Sequence, residues 1–199
     1  MRILFALLFA FSFGYSNAQM SQSFDQVRNK TIRKEIASFT DAGSSANHPR
    51  LELSKLPLID FGDDFSTFGQ DSTTIRIKVG KFVRAGHKIR YLDHHAIRID
   101  NRPIYGDDGD IPKTDISSIL VTIGGTPVVI PKSAYADLFE PNLTYKENGE
   151  TTGTLWVYYS KDKRRYYINM SNGDGAGFYE ATLIVRDKKY AGRVVDNGF

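Results

Sequence analysis

The chain has 199 residues, of which 26 are Lys or Arg and 23 are Asp or Glu, so its formal net charge is +3. It contains no cysteine, which excludes disulfides, thiolate metal sites, iron–sulfur clusters and cysteine nucleophiles. Basic and acidic residues are nearly balanced and like charges do not run beyond residues 163–165, so nothing indicates a nucleic-acid partner, which favours a clustered basic face.

Residues 1–18 have the three parts of a cleavable signal peptide. Arg2 supplies the positive start, residues 3–13 form an apolar run, and Ser16 and Ala18 are small residues before a cut after Ala18. The run is too short for a membrane-spanning helix, which needs about 20 residues. We therefore predict export to the periplasm or the medium, with no membrane anchor after cleavage. A retained N-terminal anchor helix is the alternative.

The segment after the signal has a helical pattern. In residues 21–40, apolar residues such as Phe24, Val27 and Ile36 recur at steps of three to five, which predicts an α-helix. Residues 41–50 have the composition of a linker. We therefore predict an N-terminal helix and linker, 19–50, followed by a β-rich domain, 51–199. The sequence leaves open whether the helix packs on that domain.

After the linker, the apolar residues follow a period of two. Residues 74–79 alternate strictly, and residues 119–123 and 128–130 flank Gly124-Gly125, which predicts a hairpin. Further strands are predicted at 81–83, 88–92 and 96–99, and a short helical turn at 131–139.

The last 50 residues have the clearest strand pattern. Four segments with short connections predict a meander: 154–159, 165–170, 178–185 and 190–195. Aromatic residues make up 13% of the chain, which also favours sheets. The predicted fold class is mainly β, as a β-sandwich or meander-type antiparallel sheets, with one N-terminal α-helix and one short helical turn.

One C-terminal segment resembles a known group of proteins. The stretch Gly-Asp-Gly-Ala-Gly-Phe-Tyr-Glu at 173–180, with Lys188-Lys189-Tyr190 and Arg193-Val194-Val195, resembles the tail of small exported bacterial proteins of uncharacterised function. The resemblance covers about 35 residues. It supports the β-rich fold and implies no activity.

The glycine-rich loop at 171–177 is the most distinctive candidate site. It lacks the Gly-Lys-Ser/Thr of a phosphate-binding loop, and Leu183 occupies the place of the EF-hand glutamate. A tight connection that needs positive φ is one interpretation. The other is a partner-binding loop, whose candidate residues are Asn172, Gly173, Asp174, Gly175 and Gly177.

No cofactor is predicted, with calcium as the possible exception, and three clusters are candidates for a metal ion. Asp60, Asp63 and Asp64 form one of them. Asp107, Asp108 and Asp110 offer the oxygen ligands that calcium prefers, although such turns are also common solvated loops. His87 and His95 could face each other across a hairpin, with Asp93 as a third ligand. Surface histidines are the alternative interpretation.

An aromatic platform is the last candidate. Trp156 and Tyr158 share one face of their strand, and Tyr167 lies on the neighbouring strand. If this face is exposed, its rings could stack on a sugar or anchor a protein. If a second layer covers it, the rings belong to the core.

These observations leave two classes of function. We expect an exported, non-enzymatic binding protein whose partner is a protein or glycan of the envelope or the medium, for example as an inhibitor or immunity protein. The alternative is a hydrolase or metal-dependent enzyme that uses the aspartate loops and the histidines.

Overall fold

The computed structural model describes residues 22–44, 51–173 and 175–197. Within these residues it confirms the mainly β class: there are fourteen strands, two short α-helices and three 3-10 turns. The predicted signal segment 1–18, the second half of the predicted linker and Asp174 lie outside the described residues. None of the described helices is long and apolar enough to cross a membrane.

Two five-stranded antiparallel sheets form the body of the protein. The strands, numbered in chain order, have the order β1-β11-β12-β13-β14 in sheet A and β2-β3-β4-β7-β8 in sheet B. Those of sheet A are β1 (Ser54–Lys55), β11 (Leu155–Tyr159), β12 (Arg165–Asn172), β13 (Tyr179–Arg186) and β14 (Lys189–Asn197). Those of sheet B are β2 (Leu58–Gly62), β3 (Phe65–Gln70), β4 (Thr73–Lys81), β7 (Thr114–Ile123) and β8 (Thr126–Val128).

Two separate hairpins complete the set of described strands. One pairs β5 (Ile89–Leu92) with β6 (His95–Ile99), and the other pairs β9 (Tyr145–Glu147) with β10 (Glu150–Thr152). The predicted Gly124-Gly125 hairpin is confirmed as β7–β8, and the predicted C-terminal meander is confirmed as β11 to β14. The predicted helical turn is present as a 3-10 turn, Lys132–Ala134.

The inner faces of the two sheets share one hydrophobic core. In β4, Ile75 and Ile77 are buried while Arg76 between them is only half-buried, as the period of two predicts. Ile168 and Leu183 of sheet A belong to the same buried cluster. The molecule is therefore a β-sandwich in which each sheet contributes its alternating apolar residues.

The outer face of sheet A is covered by the N-terminal segment. Phe24, Ile32 and Ile36 form a second buried cluster with Tyr167 and Ile184 of the sheet. The N-terminal helix therefore docks on the β-rich domain, which the sequence left open. Since the opposite faces of β12 and β13 line the main core, these strands are buried on both sides.

The predicted helix over 21–40 is shorter than expected. Only Lys30–Ile36 (α1) and Asp41–Ser44 (α2) are α-helical, and Phe24–Gln26 is a 3-10 turn. Asn29 starts α1, because its side chain accepts hydrogen bonds from the backbone N–H groups of Thr31 and Ile32. The cap breaks the segment where the apolar spacing alone predicted a continuous helix.

A buried ion pair attaches α1 to sheet A. Arg165 on β12 donates from Nε and Nη2 to the two carboxylate oxygens of Glu35, at 2.8 and 2.9 Å. The Tyr167 hydroxyl donates to the same carboxylate. Glu35 is 5% exposed, so it needs these donors to offset its desolvation.

Replacement of Glu35 by Ala should therefore be strongly destabilising. Arg165 and the Tyr167 hydroxyl would lose a buried partner, and we expect a loss of about 3 kcal/mol in the free energy of unfolding, measured by urea denaturation. Asp25→Ala, which removes the exposed Asp25–Arg33 pair of the same segment, is the control and should cost less than about 1 kcal/mol. Equal losses would contradict the assigned role of Glu35.

A second buried carboxyl group connects the N-terminal segment to sheet A. Glu180 on β13 accepts hydrogen bonds from the backbone N–H of Asp41 and from the Asn169 side chain. Burial raises the pKa of Glu180 to about 7. The folded protein therefore holds this proton more tightly than the unfolded chain does, and the stabilisation from protonated Glu180 is lost as the pH rises from about 4.5 through about 7.

Glu180→Gln tests this linkage. Because Gln resembles the protonated acid, wild type should lose stability relative to the variant between about pH 5 and pH 8, by at most about 3 kcal/mol. The measurement is urea denaturation of both proteins across that pH range. Glu147→Gln in the exposed β9–β10 hairpin is the control, and a stability difference for Glu180→Gln that does not vary with pH would refute the linkage.

Candidate functional site

Two loops that the sequence singled out separately lie against each other at one end of the sandwich. We call residues 105–110, which contain Asp107, Asp108 and Asp110, the acidic loop. A Cβ on Gly177 of the glycine-rich loop would lie 3.1 Å from the backbone of Asp107 in the acidic loop. The acidic loop precedes β7, and the glycine-rich loop connects β12 to β13. The ends of strands from both sheets therefore position the two loops.

An open cleft of about 850 Å³ lies beside this contact. We call it the acidic cleft, because the carboxylates of Asp107, Asp110 and Glu140 line it and Lys113 is its one cationic side chain among the described residues. Its remaining lining residues are Gly106, Ile111, Thr114, Pro141, Asn142 and Gly173.

Glu140 has an unusual backbone conformation and a fixed side chain. Its φ is +46°, which is uncommon for a residue other than glycine. Its carboxylate accepts hydrogen bonds from the backbone N–H groups of Lys113 and Thr114 and, at 3.0 Å, from the Thr114 hydroxyl. These bonds hold the first residues of β7 against the 140–142 segment. Strained residues of this kind are found most often at functional sites.

A buried network supports the floor of the acidic cleft. The Asn172 side chain is fully buried, and its Nδ2 donates to the Tyr179 hydroxyl at 2.8 Å. Its Oδ1 accepts from the backbone N–H of Asn142 at 2.7 Å. The Tyr179 hydroxyl in turn donates to the Phe139 carbonyl. Asn172, predicted as part of a binding loop, therefore positions the cleft from below and is not exposed to a ligand.

Two glycines permit the close approach of the loops. Gly106 has a φ of +108°, and a Cβ there would lie 2.2 Å from the Phe139 carbonyl oxygen. Gly173 has a φ of +83°, and a Cβ there would lie 2.6 Å from the Gly177 carbonyl oxygen. Both are positions that only glycine fits without distortion. This fits the interpretation of the glycine-rich loop as a tight connection, while its role in binding stays a prediction.

An apolar groove of about 640 Å³ continues from the acidic cleft. It shares Thr114, Pro141 and Asn142 with the cleft. Phe61 and Tyr145 line it and are 41% and 42% exposed. The other lining residues are Gly62, Asp63, Val79, Leu143, Thr152, Gly153 and Thr154.

The wall of the apolar groove is attached to both sheets. Thr144 is fully buried, and its backbone carbonyl accepts from the Ser66 hydroxyl of β3 at 2.6 Å. Its hydroxyl donates to the Leu155 carbonyl of β11. The groove is therefore a fixed surface between the two sheets.

The acidic cleft carries concentrated negative charge. Burial raises the pKa of Asp107, and the nearby charges of Asp110, Glu140 and Asp108 raise it further. The backbone N–H of Asp110 offsets part of this shift by donating to the Asp107 carboxylate at 2.6 Å. A cation in the cleft would relieve the repulsion among these carboxylates. The site is therefore suited to a positively charged group.

The predicted histidine metal site does not form. His95 pairs with Leu92 beside the hairpin turn, whereas His87 precedes the opposite end, where Ile89 pairs with Ile99. The register therefore separates His87 from His95 and from Asp93 in the turn, and the expectation that the histidines face each other is wrong. His87 Nδ1 instead lies 2.7 Å from an Asp100 carboxylate oxygen.

A calcium site at the acidic loop is not assembled by the described side chains either. Across residues 22–44, 51–173 and 175–197, no three His, Asp or Glu side chains are placed to hold one metal ion. Asp107, Asp108 and Asp110 belong to the acidic loop. The Asp107 carboxylate accepts a hydrogen bond from the backbone N–H of Asp110. Asp174 lies outside the described residues.

The predicted aromatic platform is largely covered. Tyr167 is fully buried beneath α1, so it cannot belong to an exposed platform. Tyr158 stacks on Phe39 of the N-terminal segment, with ring centroids 4.3 Å apart. Trp156 is half-buried, and its ring lies 4.2 Å below the Lys55 ammonium. Tyr167 therefore belongs to the core between the sandwich and the N-terminal segment.

Several residues of the site have no distinguishing pattern in the sequence. Glu140 gave no signal, because its positive φ and its hydrogen bonds to Lys113 and Thr114 depend on a contact between distant segments. Phe61 and Tyr145 belong to no motif and to no strand predicted from the sequence. The local signal was limited to the two loops themselves, whose Gly and Asp composition marked them as turns.

The close approach at Gly106 gives a stability prediction. Gly106→Ala should cost at least about 3 kcal/mol, because the new Cβ would displace the Phe139–Glu140 segment of the cleft. Gly86→Ala is a matched control with a φ of +94° and nothing within 4 Å of its Cβ, and it should cost about 1–2 kcal/mol. Urea denaturation measures both. Equal costs would show that the steric contact at Gly106 is unimportant.

Protein-family models, curated proteins and solved structures gave no match to the chain. The acidic cleft and the apolar groove are therefore the basis on which a function can be inferred.

Proposed function

We propose that the protein is an exported, non-enzymatic binding protein whose acidic cleft and apolar groove hold a segment of a partner protein. The signal-like segment 1–18 supports a location in the periplasm or the medium after cleavage at Ala18. Inhibition or neutralisation of an envelope or secreted enzyme is one form that such binding would take.

The continuity of the two depressions is the observation that carries the proposal. Negative charge from Asp107 and Asp110 lies next to exposed apolar surface from Phe61 and Tyr145, with Pro141 shared between the two halves. A peptide segment with a Lys or Arg close to an aliphatic or aromatic side chain would match both halves. Interfaces of this kind combine an apolar anchor with a charged pair at the rim.

The fixed position of the lining segments also supports binding. The side chains of Glu140, Thr144 and Asn172 each form hydrogen bonds to backbone groups in or beside the lining segments. A surface that is already ordered loses little conformational entropy when a partner binds. If these loops became ordered only on binding, the lost conformational entropy would weaken the affinity.

Binding of defined peptides tests the proposal. A short peptide that alternates Lys with Leu should bind, and the matched peptide with Glu in place of Lys should not, as measured by isothermal titration calorimetry. Asp107→Asn with Asp110→Asn should weaken binding at least about tenfold, because each lost charge contributes on the order of 1 kcal/mol. Amide shifts in NMR spectra should map the peptide to residues 106–114 and 140–145.

The control changes two aspartates at the other end of the sandwich. Asp71→Asn with Asp187→Asn removes the same charge from two turn residues that also have positive φ, which Asn tolerates. This variant should bind as wild type does. Equal affinity for both peptides, or equal weakening by both double variants, would contradict a role for the acidic cleft.

A further inference from the structure

The β5–β6 hairpin projects from the sandwich with one side buried. Ile99 and, in part, Ile89 pack on Phe82 and Phe139 in a small core of their own. Most other side chains of the hairpin are exposed. The hairpin is thus firmly seated at its base, and its outer surface is free for contact.

Positive charge is concentrated in this part of the chain. Residues 81–102 contain two acidic residues, Asp93 and Asp100, against six Lys or Arg residues: Lys81, Arg84, Lys88, Arg90, Arg98 and Arg102. Six cations against two anions give this segment a larger positive net charge than that of the whole chain, +3. These cations do not form a run in the sequence, because apolar residues separate the charges along the chain.

None of these six cations forms an ion pair within the described part of the protein, although the charge of Arg102 helps to lower the pKa of Asp100. No described carboxylate lies within 4.0 Å of any of the six, and Asp100 pairs with His87 instead. Arg90 lies directly opposite Arg98 across the hairpin. Like charges in that position are destabilising, so the pair is costly unless an anion compensates it.

Exposed apolar side chains accompany the charges. Leu92 beside the turn is 64% exposed and Val83 is 61% exposed. Tyr91 and Ile97 are also exposed. The hairpin therefore offers both cations and aliphatic side chains to whatever it contacts.

We propose that the β5–β6 hairpin binds the surface of an anionic phospholipid bilayer, a property separate from the proposed binding cleft. Arginines and lysines attract lipid phosphates, and Leu92 at the turn gains free energy by entering the interface between headgroups and acyl chains. Nucleic acid is the less suitable anion, because bases stack on aromatic rings, whereas the exposed apolar residues here are mostly aliphatic.

The negative charges of the acidic loop lie on the far side of β6. The acidic loop lies along β6, where the backbone N–H of Ala96 donates to the Gly109 carbonyl at 2.7 Å. Strand β6 therefore separates the acidic loop from β5 and from Lys88 and Arg90. The hairpin can contact a bilayer through β5, the turn and the face on which Arg90 and Arg98 lie opposite each other.

Vesicle co-sedimentation tests the charge component with the purified protein. It should bind phosphatidylcholine vesicles that contain about 30 mol % phosphatidylglycerol, and binding should fall at about 0.5 M salt. Arg90→Ser with Arg98→Ser should weaken it about 30-fold, from about 1 kcal/mol per cation. Lys161→Ser with Lys189→Ser, two exposed lysines far from the hairpin, is the matched control and should have no effect.

A fluorescent label tests the apolar component, and the absence of cysteine makes labelling specific. An environment-sensitive dye on Leu92→Cys should shift its emission to the blue on the anionic vesicles. The same dye on Val129→Cys, where Val129 directly follows β8 and is 82% exposed, should not shift. Both sites are exposed, so neither substitution should prevent folding.

Three results would overturn the proposal. They are equal binding to vesicles of phosphatidylcholine alone, equal loss in both double variants, and binding of single-stranded DNA or heparin without any binding of vesicles. These assays use no peptide, so their outcome is independent of the test of the cleft.

Discussion

The double-sided burial of β12 and β13 is the constraint on which the rest of the structure depends. Ile168 and Leu183 face sheet B, while Tyr167 and Ile184 face the N-terminal segment. Without that segment, sheet A would expose a large apolar surface to water. The interface between sheet A and this segment also contains two polar contacts. Arg165 donates to Glu35, and the backbone N–H at the start of α2 donates to Glu180. The charged groups fix where the segment lies, and the apolar contacts supply most of the free energy.

The same two strands determine the position of the acidic cleft. Asn172 ends β12 and Tyr179 begins β13, and their side chains join beneath the cleft. Because both strands are held on two faces, the loop between them and the segment at Phe139–Glu140 have a rigid support. The cleft is thus a consequence of how sheet A ends, and its shape depends on the packing at the far side of that sheet.

The sequence predicted what depends on local pattern. The period of two in residues 74–79 and the turn at Gly124-Gly125 identify β4 and the β7–β8 hairpin, since each signal lies within a few residues. It could not predict features that need distant segments to meet. The positive φ of Glu140, the contact between Gly177 and Asp107, and the burial of Tyr167 depend on tertiary packing. The expected pairing of His87 with His95 failed for the same reason, because strand register is not visible in the spacing of residues.

The small net charge of the chain conceals a separation of charge that links the two proposals. Carboxylates of the acidic cleft and cations of the β5–β6 hairpin lie on either side of β6. An anionic bilayer also concentrates cationic peptides near its surface. A protein held there by the hairpin would present its acidic cleft where basic partner segments are most abundant, so the surface that attracts the hairpin would also supply the cleft.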